Sequence, residues 1–113
     1  MHELGVTESI LDIALTKAQE AEANRIIKVT VTLGELSGFV PECIEFYFES
    51  LSKDTIAENA NLEFNLIKAQ FQCRDCAKLS SSEDIVWTCP YCHSHNLEVV
   101  GGREFFVKDL EVE

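Results

Sequence analysis

The sequence predicts an α+β protein: two helices packed on a small mixed β-sheet, with a zinc-knuckle (zinc-ribbon-like) lobe inserted between strands. Three observations lead there. Apolar residues recur at intervals of three and four in two segments, the mark of amphipathic helices. In other segments they recur at every second residue, the mark of half-buried strands. Finally, CRDC-x12-CPYC, from Cys73 to Cys92, sets two Cys-x-x-Cys pairs twelve residues apart, a spacing at which two tight knuckles can turn four thiolates toward one tetrahedral ion.

Thr7 to Ala23 reads as the first helix, with Ile10, Leu11, Ala14, Leu15 and Ala18 on one stripe and Glu8, Asp12, Lys17 and Glu20 facing outward. Its start can lie as early as Glu3, whose charge suits the positive end of the helix dipole. From Ile27 to Leu33 the period becomes two: Ile27, Val29, Val31 and Leu33 point inward, while Lys28, Thr30 and Thr32 form a wet face. Pro41 suits the first turn of a second helix with Ile44, Tyr47, Phe48 and Leu51 on its stripe. Leu62, Phe64 and Leu66 resume the strand period, and Leu97 to Val100 and Phe105 to Val112 follow the knuckle, separated by Gly101-Gly102. A strand-helix-strand crossover of this length allows the first two strands to run parallel. Residues 1–70 plus 97–113 are expected to form one lobe and 71–96 the metal lobe, with short hinges near Ala69 to Gln72 and His95 to Leu97.

A chain of 113 residues holds one modest core plus a metal-stapled satellite. It has no apolar run long enough to cross a bilayer and no targeting segment, so a soluble, cytoplasmic protein without membrane association is expected. Nine basic residues against twenty acidic ones give a net charge of −11, and four thiolates around one divalent ion make it more negative still. Zinc lobes that bind nucleic acid need a basic footprint. Arg74 and Lys78 against Asp75, Glu83 and Asp84 do not supply one, so no nucleic-acid partner is expected.

Four cysteine sulfurs suit zinc first and iron second. A redox pair of the thioredoxin type would open a helix within a βαβ unit, which neither Cys-x-x-Cys does, and a disulfide framework would go with a secretory signal. The residues alone therefore leave three classes open: a metal carrier, a non-enzymatic zinc-ribbon module binding protein or nucleic acid, and an iron-thiolate electron carrier. Cys43, beside Ile44 and Phe46, is expected to be a small buried apolar residue, and Phe46, Tyr47 and Phe48 are expected to be core. Glu45, Glu49, Asp109, Glu111 and Glu113 read as solvated surface. No Ser/His/Asp set or Gly-rich phosphate loop can be assembled, so the protein is not expected to be an enzyme.

Met1-His2-Glu3 is the second place for metal chemistry. A terminal amine, the backbone nitrogens of residues 2 and 3 and the His2 imidazole can close consecutive chelate rings in one plane, the geometry that Ni(II) and Cu(II) favour. Standing alone, a histidine at position two is more often just a surface residue.

MHELGVTESIL, VTLGELSGFVPECIEFYFE, CRDC-x12-CPYCHS and GGREFFVKDLEVE, in that order and over nearly the full length, resemble the HypA/HybF family of hydrogenase nickel-incorporation proteins. The resemblance implies a two-lobed nickel metallochaperone with Ni(II) as transferable cargo and Zn(II) as a structural ion. It also implies partnership with the GTPase HypB and delivery to the large subunit of [NiFe] hydrogenase; a homodimer is compatible with it. By that resemblance His2 is the nickel ligand, with Glu3 as its acidic neighbour and Met1 supplying the amine, and Cys73, Cys76, Cys89 and Cys92 are the zinc ligands. Some members carry histidine directly after both Cys pairs. Here Cys92 is followed by His93 but Cys76 by Ala77, so an exchange of two thiolates for two histidines is not expected, and His93 and His95 are expected to be exposed.

Overall fold

The computed structural model describes residues 3–81 and 88–113. The elements run α1 (Glu3–Glu20), β1 (Ile26–Gly34), α2 (Pro41–Leu51), β2 (Asn61–Ile67), β3 (Gln70–Cys73), β4 (Leu79–Ser81), β5 (Leu97–Gly101) and β6 (Phe105–Val112). They divide into two compact units. The first holds Met1–Thr32, Gly38–Asn65 and Phe105–Glu113, the second Leu33–Ser37 and Leu66–Glu104.

In the first unit the stripe of α1 is buried at Val6, Ile10, Leu11, Ala14 and Ala18. It shares one core with Ile26, Val29 and Val31 of β1 and with Ile44 and Phe48 of α2. Helix α1 packs on α2 and on β6. It ends earlier than its apolar period suggests. Glu22 takes a left-handed conformation (φ 54°), Ala23 N–H reaches back to Ala18 O at 2.9 Å and Glu22 N–H to Gln19 O at 3.0 Å. This pair of bonds satisfies the last carbonyls and turns the chain out of the helix. Glycine usually occupies that position, so a glutamate there gives the sequence no stop signal.

Strand β1 is the middle strand of a sheet ordered β2-β1-β6. Glu35 N–H donates to Ile67 O at 2.7 Å, joining the C-terminal ends of β1 and β2 as parallel neighbours do. On the other side Arg25 bonds Glu113 and Gly34 bonds Glu104, the pairing of antiparallel strands. The sheet is therefore mixed, as expected. The face assignment along β1 needs two corrections. Ile26, not Ile27, is fully buried at the start, where its N–H is held by Ile56 O at 2.9 Å. Thr32 is buried rather than wet, because Val31 to Gly34 are covered on both faces. Alternation along a strand reports the strand's own residues and not what lies over its outer face.

The second unit is built on a sheet ordered β4-β3-β5. Strand β3 runs antiparallel to both neighbours, Phe71 facing Ser80 on one side and Val99 on the other. The stretch expected as a hinge near Ala69 to Gln72 thus lies largely in a central strand, and β4 was not foreseen. Gly102 turns the chain after β5 at φ 109°. A Cβ there would stand 2.6 Å from the Ala69 Cα, and one on Gly34 would collide with the Gly102 carbonyl. Both glycines are dictated by close backbone approach. Gly102→Ala should cost roughly 1–3 kcal/mol from the backbone conformation alone, and more from the clash. Denaturant unfolding of the zinc-loaded protein checks this, and unchanged stability would contradict the approach described.

Candidate metal centre

The two Cys-x-x-Cys segments fold into the same local structure. In the first, Cys73 N–H donates to Lys78 O at 3.1 Å and Ala77 N–H to Cys73 O at 2.8 Å. In the second, Cys89 N–H donates to Ser94 O at 2.8 Å and His93 N–H to Cys89 O at 2.9 Å. Each loop is closed by the residue after its second cysteine, and both closing residues are left-handed, Ala77 at φ 65° and His93 at φ 64°. Histidine tolerates that region better than most residues, whereas alanine gains nothing from it. The sequence spacing showed the cysteines but not these closing positions.

The loops bring Cys73, Cys76, Cys89 and Cys92 together, with their Sγ atoms all within 4.8 Å of one another. Cys73 and Cys92 are 3.5 Å apart and Cys76 and Cys89 are 3.7 Å apart. A tetrahedral ion with bonds of about 2.3 Å has sulfur–sulfur edges of about 3.8 Å, so the set fits zinc. Cys73 and Cys89 are buried, Cys76 is half-buried and Cys92 is exposed. The N–H of Cys76 holds the Cys73 thiol below its ordinary value against the effect of burial, and Asp75 N–H adds to it. Burial pushes Cys89 up, but the N–H groups of Cys92 and Tyr91 outweigh it and bring the thiol down to about 7. Ser94 N–H lowers Cys92, but the sulfurs of Cys73, Cys76 and Cys89, together with burial, push it up to about 12. Sulfurs this close cannot all be anionic unless a cation sits among them, and a divalent ion is what the donor set calls for.

Side-chain and backbone contacts tie the two loops to each other. Ser94 Oγ donates to Asp75, the backbone N–H of Arg74 donates to Asn96 O at 2.9 Å, and Lys78 Nζ lies 4.8 Å from the centroid of the Tyr91 ring. His93 and His95 are exposed, consistent with four thiolates filling the coordination sphere.

The other expected residues separate. Met1 and His2 lie outside the described residues. Glu3 opens α1, its carbonyl accepting from Thr7 Oγ1 at 2.5 Å and its carboxylate accepting from Val40 N–H at 3.2 Å. Val40 is the N-cap of α2 and has no side-chain cap of its own. A carboxylate from 37 residues away thus supplies the side-chain acceptor that this N-cap lacks, adding to the charge of Glu42 in the first turn. Cys43 is exposed, not buried, and Phe46 is 70% exposed, not core. Both lie off the Ile44–Phe48 stripe, and adjacency in sequence to a buried residue on a helix means a rotation of about 100° away from it. Phe48 is core and Tyr47 half-buried, while Glu45, Glu49, Asp109, Glu111 and Glu113 are exposed as expected. Among the described residues no helix is long and apolar enough to cross a membrane.

Fold and cage together define a small α+β protein with a four-thiolate, zinc-compatible lobe. Residues 1–112 match the family model described as HypA, hydrogenase/urease nickel incorporation, metallochaperone. A hydrogenase maturation factor HypA from Dehalococcoides mccartyi is 42% identical over 113 residues, covering all of this chain and 95% of that one. Another from Caldanaerobacter subterraneus is 36% identical over the full length of both. The solution structure of the Ni metallochaperone HypA from Helicobacter pylori matches 99% of this chain and 97% of its own, with a TM-score of 0.69 at 26% identity. A second HypA solution structure gives a TM-score of 0.75, also at 26% identity, over 100% of this chain and 97% of that one. The chain belongs to the HypA family of hydrogenase nickel metallochaperones.

Three outcomes follow from the geometry. Cys89→Ser should lower zinc content from about one per chain toward zero while His93→Ala leaves it unchanged, as elemental analysis of purified protein will show. Falling pH should release the ion, because protons compete with it for the thiolates. Glu3→Ala should destabilise α2 by about 0.5–2 kcal/mol and speed hydrogen exchange at the Val40 amide, with Glu3→Gln retaining part of the protection through its side-chain oxygen. Equal protection in all three proteins would show that the carboxylate is no cap.

Proposed function

We propose that this chain carries Ni(II) for maturation of [NiFe] hydrogenase, taking the ion at its N-terminus and passing it on with the help of the GTPase HypB to the hydrogenase large subunit. The supporting observation is the match to a nickel-incorporation family over residues 1–112, a span that includes the leading Met-His-Glu. Under this reading the Met1 amine, the backbone nitrogens of His2 and Glu3 and the His2 imidazole enclose nickel in a plane. The Glu3 carboxylate is then free to remain on the Val40 amide. Zinc in the cage of Cys73, Cys76, Cys89 and Cys92 is structural, and the protein itself is not a catalyst. The division into a nickel lobe, 1–70 plus 97–113, and a zinc lobe, 71–96, is a division of labour. A closed thiolate cage holds its ion, while a ligand set at a chain end exchanges ligands with the next protein. HypB brings the nucleotide hydrolysis, since no phosphate loop can be assembled from this sequence.

Equilibrium dialysis of untagged protein against nickel is the direct test, run beside His2→Ala and a variant with residues added before Met1. Both changes should abolish tight nickel binding while zinc stays at about one per chain. Nickel retained by either variant, or an absorption spectrum placing the ion on sulfur, would overturn the assignment.

A further inference from the structure

The outward face of α2 breaks the rules by which a solvent-exposed helix is stabilised. Ile44 and Phe48 point into the core, and the opposite pole is centred on Phe46, 70% exposed. Glu42 stands one turn before it and Glu49 one turn after, with Glu45 alongside, and all three are exposed. Glu45 and Glu49 are an i, i+4 pair and Glu42 and Glu45 an i, i+3 pair, both like-charged and both unfavourable in the free helix. Glu49 also stands in the last turn, at the negative end of the helix dipole, and that turn has no basic residue. Among the described residues none of the three carboxylates makes an ion pair. Glu42 is favoured in the first turn, at the positive end of the dipole, and the Phe46 ring meets Tyr47 edge-on with centroids 5.6 Å apart, but the Glu45 and Glu49 pair brings no gain among the described residues. Where local rules are broken without an internal gain, the compensation is expected in a complex.

We infer that this face is a docking surface for a second, folded protein that presents an apolar socket ringed by arginine or lysine. Phe46 fills the socket, and Glu42, Glu45 and Glu49 meet the basic rim. The negative field extends along the first unit into an open cleft of about 560 Å³ that Glu45 and Glu49 share with Asp54, Glu58 and a single cation, Lys53. A long basic side chain of the partner has room there. Charge selects this occupant over others. A second copy of the chain brings the same carboxylates and a net charge of −11, so face-to-face pairing is repelled. Nucleic acid is repelled for the same reason. A bound cation by itself would leave the central aromatic ring without a role. None of these residues is a proposed nickel or zinc ligand, so the surface stands or falls independently of the nickel reading.

The test uses the full chain in its own host with a photoreactive phenylalanine at position 46, and at position 106 as the control, where Phe106 is 50% exposed. The expected result is an adduct at 46, absent at 106, with a different protein identified by mass spectrometry. That protein, purified, should bind the zinc-loaded chain with an affinity that falls with salt, and Phe46→Ala and Glu49→Lys should each weaken it about tenfold or more. Glu49→Lys should also raise the melting temperature of the free chain by about 1–3 °C, since it replaces a like-charge pair with an opposite one. A merely structural role for the face would not weaken binding while raising stability. Four results overturn the inference: no adduct specific to position 46, an adduct only with a second copy of the chain, binding unchanged in either variant, or a lowered melting temperature for Glu49→Lys.

Discussion

Four sulfur atoms held within 4.8 Å of one another form an unfavourable cluster unless a cation lies between them, and most of the second unit serves to assemble that cluster. Among the described residues the apolar ones fully buried there are few: Leu33, Ala69 and the cysteines Cys73 and Cys89 themselves. Burying one leucine contributes about 1.5–3 kcal/mol, far short of the ordering cost of a unit of this size. A structural zinc ion contributes about 10–16 kcal/mol at neutral pH in small zinc-binding peptides. A zinc ion held in the cage would therefore be the core of this unit in the energetic sense. The hydrogen bonds of the two loops are pre-arrangement for it, since the backbone N–H groups that hold Cys73 and Cys89 low favour the thiolate that the ion requires.

The first unit depends on a different device. Its core is an ordinary apolar one, supplied by both helices and β1. Its special contact is a single carboxylate near the start of the chain, shared between the first turn of α1 and the N-cap of α2. Proline opens α2 and valine precedes it, so neither can cap the helix through its side chain. Borrowing the acceptor from Glu3 makes the direction of the chain's first turn a property of the packed helices rather than of a loose end. A metal site proposed at residues 1–3 thus starts from an anchored base.

Much of this was legible from residues, and what escaped has identifiable causes. The cage was readable because its determinant, Cys-x-x-Cys twice at a fixed interval, is local. The helices and the long strands were readable because their periods persist over many residues. Strands β3 and β4 were not, since QFQC and LSS are too short to establish a period, and the burial of Ser80 in β4 runs against its composition. Cys43 and Phe46 neighbour buried residues along the chain but point away from them around the helix, so sequence adjacency misreports their exposure. The bond from Val40 to Glu3 spans 37 positions, and no spacing rule points to it. Met1 and His2, which the sequence singled out for nickel, lie outside the described residues.

The distribution of charge separates the two units as sharply as their cores do. In the metal-bearing unit the cations near the cage are engaged locally: Arg74 Nε lies 3.6 Å from Glu98 and the Lys78 ammonium sits over the Tyr91 ring. These contacts are exposed and contribute little stability, but they lower the positive charge that unit can offer to a polyanion. Among the described residues the carboxylates of α2 make no ion pair, Lys53 being the one cation lining the cleft beside Glu45 and Glu49, and their field reaches solvent over a distance set by the ionic strength. A chain with a net charge of −11 would be expected to spread like charges apart. Concentrating them around an exposed aromatic ring does the opposite, and that concentration distinguishes a surface shaped for one kind of partner from a surface that is merely soluble.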